Sequence, residues 1–113
     1  MVEGLKPPVR WLTSYFEDDD ILYYFELDED GWVLRQVELE GPTRTPITAA
    51  ALSEWPDPTT DGLDAQRAYS ARYGNTADQP LPSWDPDFPH EEISAEDFEG
   101  VWRSARGSLE ERT

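Results

Sequence analysis

The residues whose spacing could do chemistry are acids. Glu26, Asp28 and Asp30 alternate along the chain and run into Gly31, the opening pattern of a calcium loop, in which carboxylates at alternate positions converge on one cation. The pattern fails where such a loop must close. Its bidentate carboxylate belongs at the twelfth position, where Val37 stands, and Glu38 comes one residue late; the flanks read as strands where the motif needs helices. A turn carrying solvated acids is the better reading, and Asp18 to Asp20 offer a divalent ion only weak attraction. His90 is the single histidine. As a general base it would be poised by Glu91 or Glu92, but no nucleophile or oxyanion donor is implied beside it, so an exposed loop residue is expected. Among 25 acids no carboxylate pair is singled out by spacing as a glycosidase pair would be. The chain also lacks cysteine, a phosphate-binding glycine loop and a His-carboxylate metal triad. Neither an enzyme nor a cofactor is expected.

What remains is charge. The chain of 113 residues sets those 25 acids against 9 Lys and Arg, a formal net charge of −16. Such a body repels nucleic-acid phosphates and anionic lipid, so direct binding to nucleic acid or membrane is disfavoured. Its long-range field suits a basic protein partner, such as a nuclease toxin or a nucleic-acid-binding protein. The expected role is therefore that of a small inhibitor or immunity-type protein, and the rival is an accessory module whose acidity serves solubility alone. The contact acids should be Asp18, Asp19 and Asp20 in one loop and Asp28, Glu29 and Asp30 in another. Tyr24, Trp55 and Trp84 would supply desolvated anchors, although Trp55 and Trp84 could equally pin the middle of the chain onto the body.

These residues need elements to hold them. Val9 to Phe16 reads as a first strand after Pro7 and Pro8, and Glu17 to Asp20 as a solvated turn. Ile21 to Leu27 and Trp32 to Glu40 flank Asp28-Glu29-Asp30-Gly31, the clearest local signal: a hairpin loop built on a type I turn with Gly31 in the left-handed region. Alternation puts Ile21, Tyr23, Phe25 and Leu27 on one face and Leu22, Tyr24 and Glu26 on the other. In the return strand it groups Val33, Arg35, Val37 and Leu39 against Trp32, Leu34, Gln36 and Glu38. Thr43 to Ala50 is a weaker strand that Pro46 restricts to an edge or a bulge. Residues 53–89 form a Pro-rich segment with one possible helix over Leu63 to Tyr73, stopped by Gly74. A last helix within 93–107 starts at a Ser94 cap and carries Phe98, Val101, Trp102 and Ala105 on one stripe, whose spacing Leu109 would continue, with Gly107 ending the helix.

The resulting expectation is an α+β fold: one domain over 1–113, an antiparallel sheet of three to four strands within 9–52, and the C-terminal helix on one face. Trp11 and Trp102 are the expected core anchors. Leu, Ile, Val and Phe total only 22 residues, but each buried aromatic contributes roughly 150–250 Å², so ten Trp and Tyr replace many missing aliphatics. No stretch is long and apolar enough for a signal peptide or a membrane span, which with the absence of cysteine makes the cytoplasm the expected location.

Two stretches, ILYYFELDEDGWVLRQVELE and WDPDFPHEEISAEDFEGVW, resemble an uncharacterised family of small acidic bacterial domains, frequent in actinobacteria. Its members pair an acidic Glu-Leu-Asp-Glu-Asp-Gly-aromatic turn with a C-terminal Ile-Ser-Ala-Glu-Glu-Phe-Glu helix carrying a tryptophan. Here Gln36 replaces the family's lysine and Asp97 its second helix glutamate, while residues 53–82 are longer and less alike. The resemblance covers about half the chain and implies fold; it carries over no catalytic residue.

Overall fold

The computed structural model describes residues 6–57, 59–82, 85 and 87–111. β1 (Arg10–Phe16), β2 (Ile21–Leu27), β3 (Val33–Glu40) and β4 (Thr45–Ala51) form an antiparallel meander, and β5 (Glu91–Ile93) returns to the free side of β1. The sheet order is therefore β4-β3-β2-β1-β5. Two helices complete the α+β fold, α1 (Gly62–Tyr73) and α2 (Ala95–Glu111). The sheet thus has five strands where three to four are expected. The extra one is only three residues long, with two glutamates, and exists because Ile93, Glu92 and Glu91 register with Trp11, Leu12 and Thr13.

α2 lies against strands β1 to β4 on one face of the sheet. Its start is capped as the sequence implies, with the Asp97 amide donating to Ser94 Oγ at 3.0 Å. Its end is not where Gly107 would put it, because the helix runs on to Glu111. Leu109, 3% exposed, packs with Val37, Ala49 and Ala105, and burial of this last apolar residue outweighs the modest helix penalty of one glycine. Phe98, Leu12, Leu27, Val33 and Val37 are the largest fully buried side chains. The expected anchors Trp11 and Trp102 are only half-buried: Trp11 Nε1 is bonded to Glu26, and the Trp102 ring carries the Arg35 and Arg106 guanidinium groups.

The opposite face is also covered. Leu12, Phe25, Leu27 and Val33 form a second cluster, closed by Ala77, Leu81 and Phe88 from the Pro-rich segment. That segment is tied down by backbone and side-chain bonds: Leu81 N donates to Gly31 O at 2.9 Å, Ala77 N to Gln36 Oε1 at 2.8 Å, and Ser14 Oγ to Pro89 O. Gly74 lets the chain turn from α1 toward this face. Its φ of 82° and ψ of −160° belong to a region used almost only by glycine, and a Cβ there would stand 2.6 Å from Thr48 Oγ1.

One irregularity distributes β3 between the two clusters. Glu26 pairs with Arg35 but Leu27 pairs with Val33, so Leu34 is the extra residue of a β-bulge. Strict alternation would place Val33 beside Val37. The bulge instead sends Val33 to the Pro-rich side and leaves Arg35, Val37 and Leu39 facing α2, a correction that a period of two cannot contain. A second bulge falls between Glu38 and Leu39, opposite Pro46 and Thr48 on edge strand β4, where Pro46 is tolerated for the reason expected.

Arg35 joins sheet to helix. Its Nε donates to Glu26 Oε1 at 2.8 Å and its Nη2 to Glu26 Oε2 at 2.7 Å, while Nη1 and Nη2 both reach the Glu99 carboxylate on α2. The guanidinium also lies over the rings of Phe98 and Trp102, 5.0 and 4.9 Å from their centroids. Glu26 is 6% exposed and receives a further bond from Trp11 Nε1 at 2.9 Å. Removing Arg35 would strand that carboxylate in a site with little water. Arg35→Met should cost about 3–5 kcal/mol in urea unfolding, and Glu99→Gln, at the solvated end of the same group, under about 1 kcal/mol. Equal losses would show that Glu26 is not the partner that matters.

Candidate functional site

The hairpin loop puts its acids to different uses. Asp28 is buried at 6% exposure, and its Oδ1 accepts from the amides of Asp30 at 2.9 Å and Trp32 at 3.0 Å. The Asp28 amide donates to Trp32 O, and the Gly31 amide to Asp28 O, with Gly31 at φ 86°. Asp28 therefore organises the turn and is not displayed by it. Glu29 and Asp30 are exposed, and Lys6 forms ion pairs with both.

Asp18 and Asp19 are exposed at the β1–β2 turn. Asp20 is turned inward on itself, at φ 50°. Its carboxylate accepts from Tyr15 Oη at 2.8 Å and from Arg44 Nη1 at 3.0 Å, which together hold it below the usual aspartate range. Its carbonyl accepts from the Gly41 amide, joining this turn to the β3–β4 turn. In a meander, successive turns lie at opposite ends of the strands. Asp18 to Asp20 and Asp28 to Asp30 are thus separated by the length of β2, seven residues or about 20 Å, and do not make one patch.

The anchors divide as well. Tyr24, half-buried, packs against the cluster of Val37, Ala49, Ala105 and Leu109 beneath α2, so its ring is shared between core and surface. Trp84 lies outside the described residues. Trp55 follows the 3-10 turn Leu52–Glu54 at the end of β4 and meets Tyr69 edge-on, ring centroids 5.6 Å apart. Tyr69 is the pin of this corner: its hydroxyl accepts from Ala51 N at 2.8 Å and from Arg106, and donates to Glu54 at 2.7 Å. Burial, reinforced by the Glu54 carboxylate, pushes the phenol up to about 12. Arg106 completes the pin by donating to Ala49 O at 2.8 Å and pairing with Glu54.

Beside this corner opens a cleft of about 490 Å³, walled by Trp32, Val33, Leu52, Trp55 and Ala77, with Asp78 at its polar side. Trp32 is 42% exposed because β3 begins one residue after it. Alternation continued back from β3 puts Trp32 on a strand face and hides it as a surface ring. The signal that could have found it is its place directly after a turn glycine. Leu63, 60% exposed, lines a neighbouring hollow that shares Trp55 and Asn75 with the cleft.

His90 is half-buried, its Nδ1 2.8 Å from Phe88 O and its ring stacked on Phe88. It lines a shallow hollow with Ser14, Tyr15 and Glu91. Among the described residues, no three His, Asp or Glu side chains gather in a way that could hold a metal ion, and no helix is long and apolar enough to cross a membrane. Comparison with protein-family models, curated proteins and solved structures found no match to this chain.

Two tests follow from this geometry. Asp28→Ala removes two amide bonds to a carboxylate and should cost about 1.5–3 kcal/mol in chemical denaturation, whereas Glu29→Gln should cost under about 1 kcal/mol. For pH, burial alone would raise Glu54, but bonds from Arg106 and Tyr69 hold it below its ordinary 4.5. A carboxyl lowered in the folded state adds stability that is present above its unfolded pKa and lost as pH falls through the folded one. Unfolding measured across acid pH should therefore show stability falling below about 4.5, with a shallower fall in Glu54→Gln.

Proposed function

We propose that this chain is a binding protein of the inhibitor or immunity type that neutralises a basic protein partner, such as a nuclease toxin or a nucleic-acid-binding protein. The observation that carries this reading is how the positive charge is used. Of the 9 Lys and Arg, Lys6, Arg10, Arg35, Arg44, Arg67 and Arg106 form ion pairs with acids of the same chain. Arg72 lies over Tyr73. Six of the nine cations are thus matched by acids of the same chain, the largely buried Arg35 and Arg106 among them, while Glu17, Asp18, Asp19, Asp87, Glu91, Glu96 and Asp97 remain exposed. Such a surface attracts a cationic protein over a distance and penalises an anionic one.

One observation favours the rival, an accessory module whose acidity serves solubility: the acids are split between two ends of the sheet. Affinity capture from the native host separates the two. A basic protein recovered at low salt and lost at high salt is expected, and the purified pair should associate more slowly as salt rises while dissociating at nearly the same rate. Recovery of no basic protein, or of one indifferent to salt, would leave only the solubility reading.

A further inference from the structure

The aromatic rings of this chain fall into two groups. Arg35 and Arg106 lie over Trp102, Arg106 and Arg72 over Tyr73, and Arg44 over Tyr15. Those faces are occupied by the chain's own guanidinium groups. Among the described residues no cation lies over Trp32 or Trp55, which wall the cleft at the hairpin end of the sheet. The described lining of that cleft holds one charged group, the exposed carboxylate of Asp78, and no Lys or Arg. Glu29 and Asp30, in the turn just before Trp32, are paired with Lys6, and Glu54, just before Trp55, with Arg106, so the acid that faces the cleft is Asp78.

An apolar opening walled by two indoles, Trp32 exposed and Trp55 half-buried, is a binding surface in need of an occupant. Charge selects it. A neutral apolar segment would fill the walls but leave Asp78 beside a desolvated contact, and an acidic one would add repulsion to a chain already at −16. An arginine satisfies both demands, because its planar guanidinium stacks on an indole face and donates to a carboxylate at its edge. An adjoining aliphatic side chain would cover Val33, Leu52 and Ala77. The cleft is also built on firm elements: Trp55 rests on the Tyr69 corner, and the Trp32 amide is held by Asp28. Little ordering would be needed on binding.

We infer that the Trp32–Trp55 cleft is the anchoring site for the basic partner and receives an arginine flanked by aliphatic residues from an exposed segment of it. This rests on the basic-partner reading above and adds the place and the side chain to it.

A blocked synthetic hexapeptide of alternating leucine and arginine provides the probe, followed by the indole N–H resonances in an NMR titration at physiological salt. The Trp32 and Trp55 signals should move while those of Trp11 and Trp102 stay. Trp32→Ala, at an exposed site that should not disturb folding, should weaken binding about tenfold or more, and Asp78→Asn about threefold. Trp55→Phe keeps an aromatic support for the Tyr69 corner and should weaken binding less than Trp32→Ala does. The Asp18→Asn/Asp19→Asn double variant should change affinity less than about twofold, because those acids lie more than two Debye lengths away.

Unmoved Trp32 and Trp55 signals, or full affinity in Trp32→Ala, would overturn the inference. So would equal binding of the same peptide with serine in place of arginine, which would make the occupant simply apolar. Sedimentation showing that the cleft is covered by a second copy of the chain would overturn it too. Equal binding of hexa-arginine and the alternating peptide, lost in Asp18→Asn/Asp19→Asn, would overturn the cleft but leave the basic-partner reading standing. No binding of either cationic peptide, together with no basic protein captured from the host, would remove both.

Discussion

Everything on the helix side of this protein depends on keeping one guanidinium in place. Arg35 sits on a central strand with its side chain 20% exposed, on the sheet face whose buried cluster is Val37, Ala49, Ala105 and Leu109. A charge there is tolerable only because Glu26 meets it through two bonds, Glu99 closes the far side, and two aromatic faces enclose its plane. The same group ties β2 and β3 to α2. A chain with few aliphatics thus secures its helix with a cation held between rings as well as with apolar area.

The second constraint is that both faces of the sheet must be dry. α2 covers one, and a segment with little regular structure covers the other through Ala77, Leu81 and Phe88. The bulge at Leu34 makes this possible by giving Val33 to the irregular side and Val37 to the helix side. The aromatic row of Phe16, Tyr23, Phe25 and Phe88 then continues that second core. Covering a sheet face with a loop requires its backbone groups to find partners, and Gln36, Ser14 and Gly31 provide them.

Acid excess has a related division of labour. Asp20, Glu26, Asp28, Glu54 and Glu99 are structural acids, each engaged by groups of its own chain. The displayed acids are others: Glu17, Asp18 and Asp19 in a turn, Glu91 on β5, and Glu96 and Asp97 at the start of α2. Composition cannot separate the two kinds, because an aspartate that accepts two amides and one that faces water have the same letter. Asp28 was legible as a turn residue but not as a buried one. Trp55 was legible as an aromatic without an obvious strand position, and its neighbour in the cleft, Trp32, was hidden by a strand boundary one residue off.

The chain read alone determined the elements whose signals are local: the meander of the first four strands, the Asp28 to Gly31 turn, the Ser94 cap and the apolar stripe of α2. These rest on side-chain period, turn chemistry and capping, which act over a few residues. Only the tertiary structure decided what depends on partners distant along the chain. β5 exists because β1 has a free edge, α2 outlasts Gly107 because Leu109 finds Val37 and Ala49, and the two acidic turns part company because a strand lies between them. Long-range pairing carries no periodic trace in the sequence, so it became visible only where the segments met.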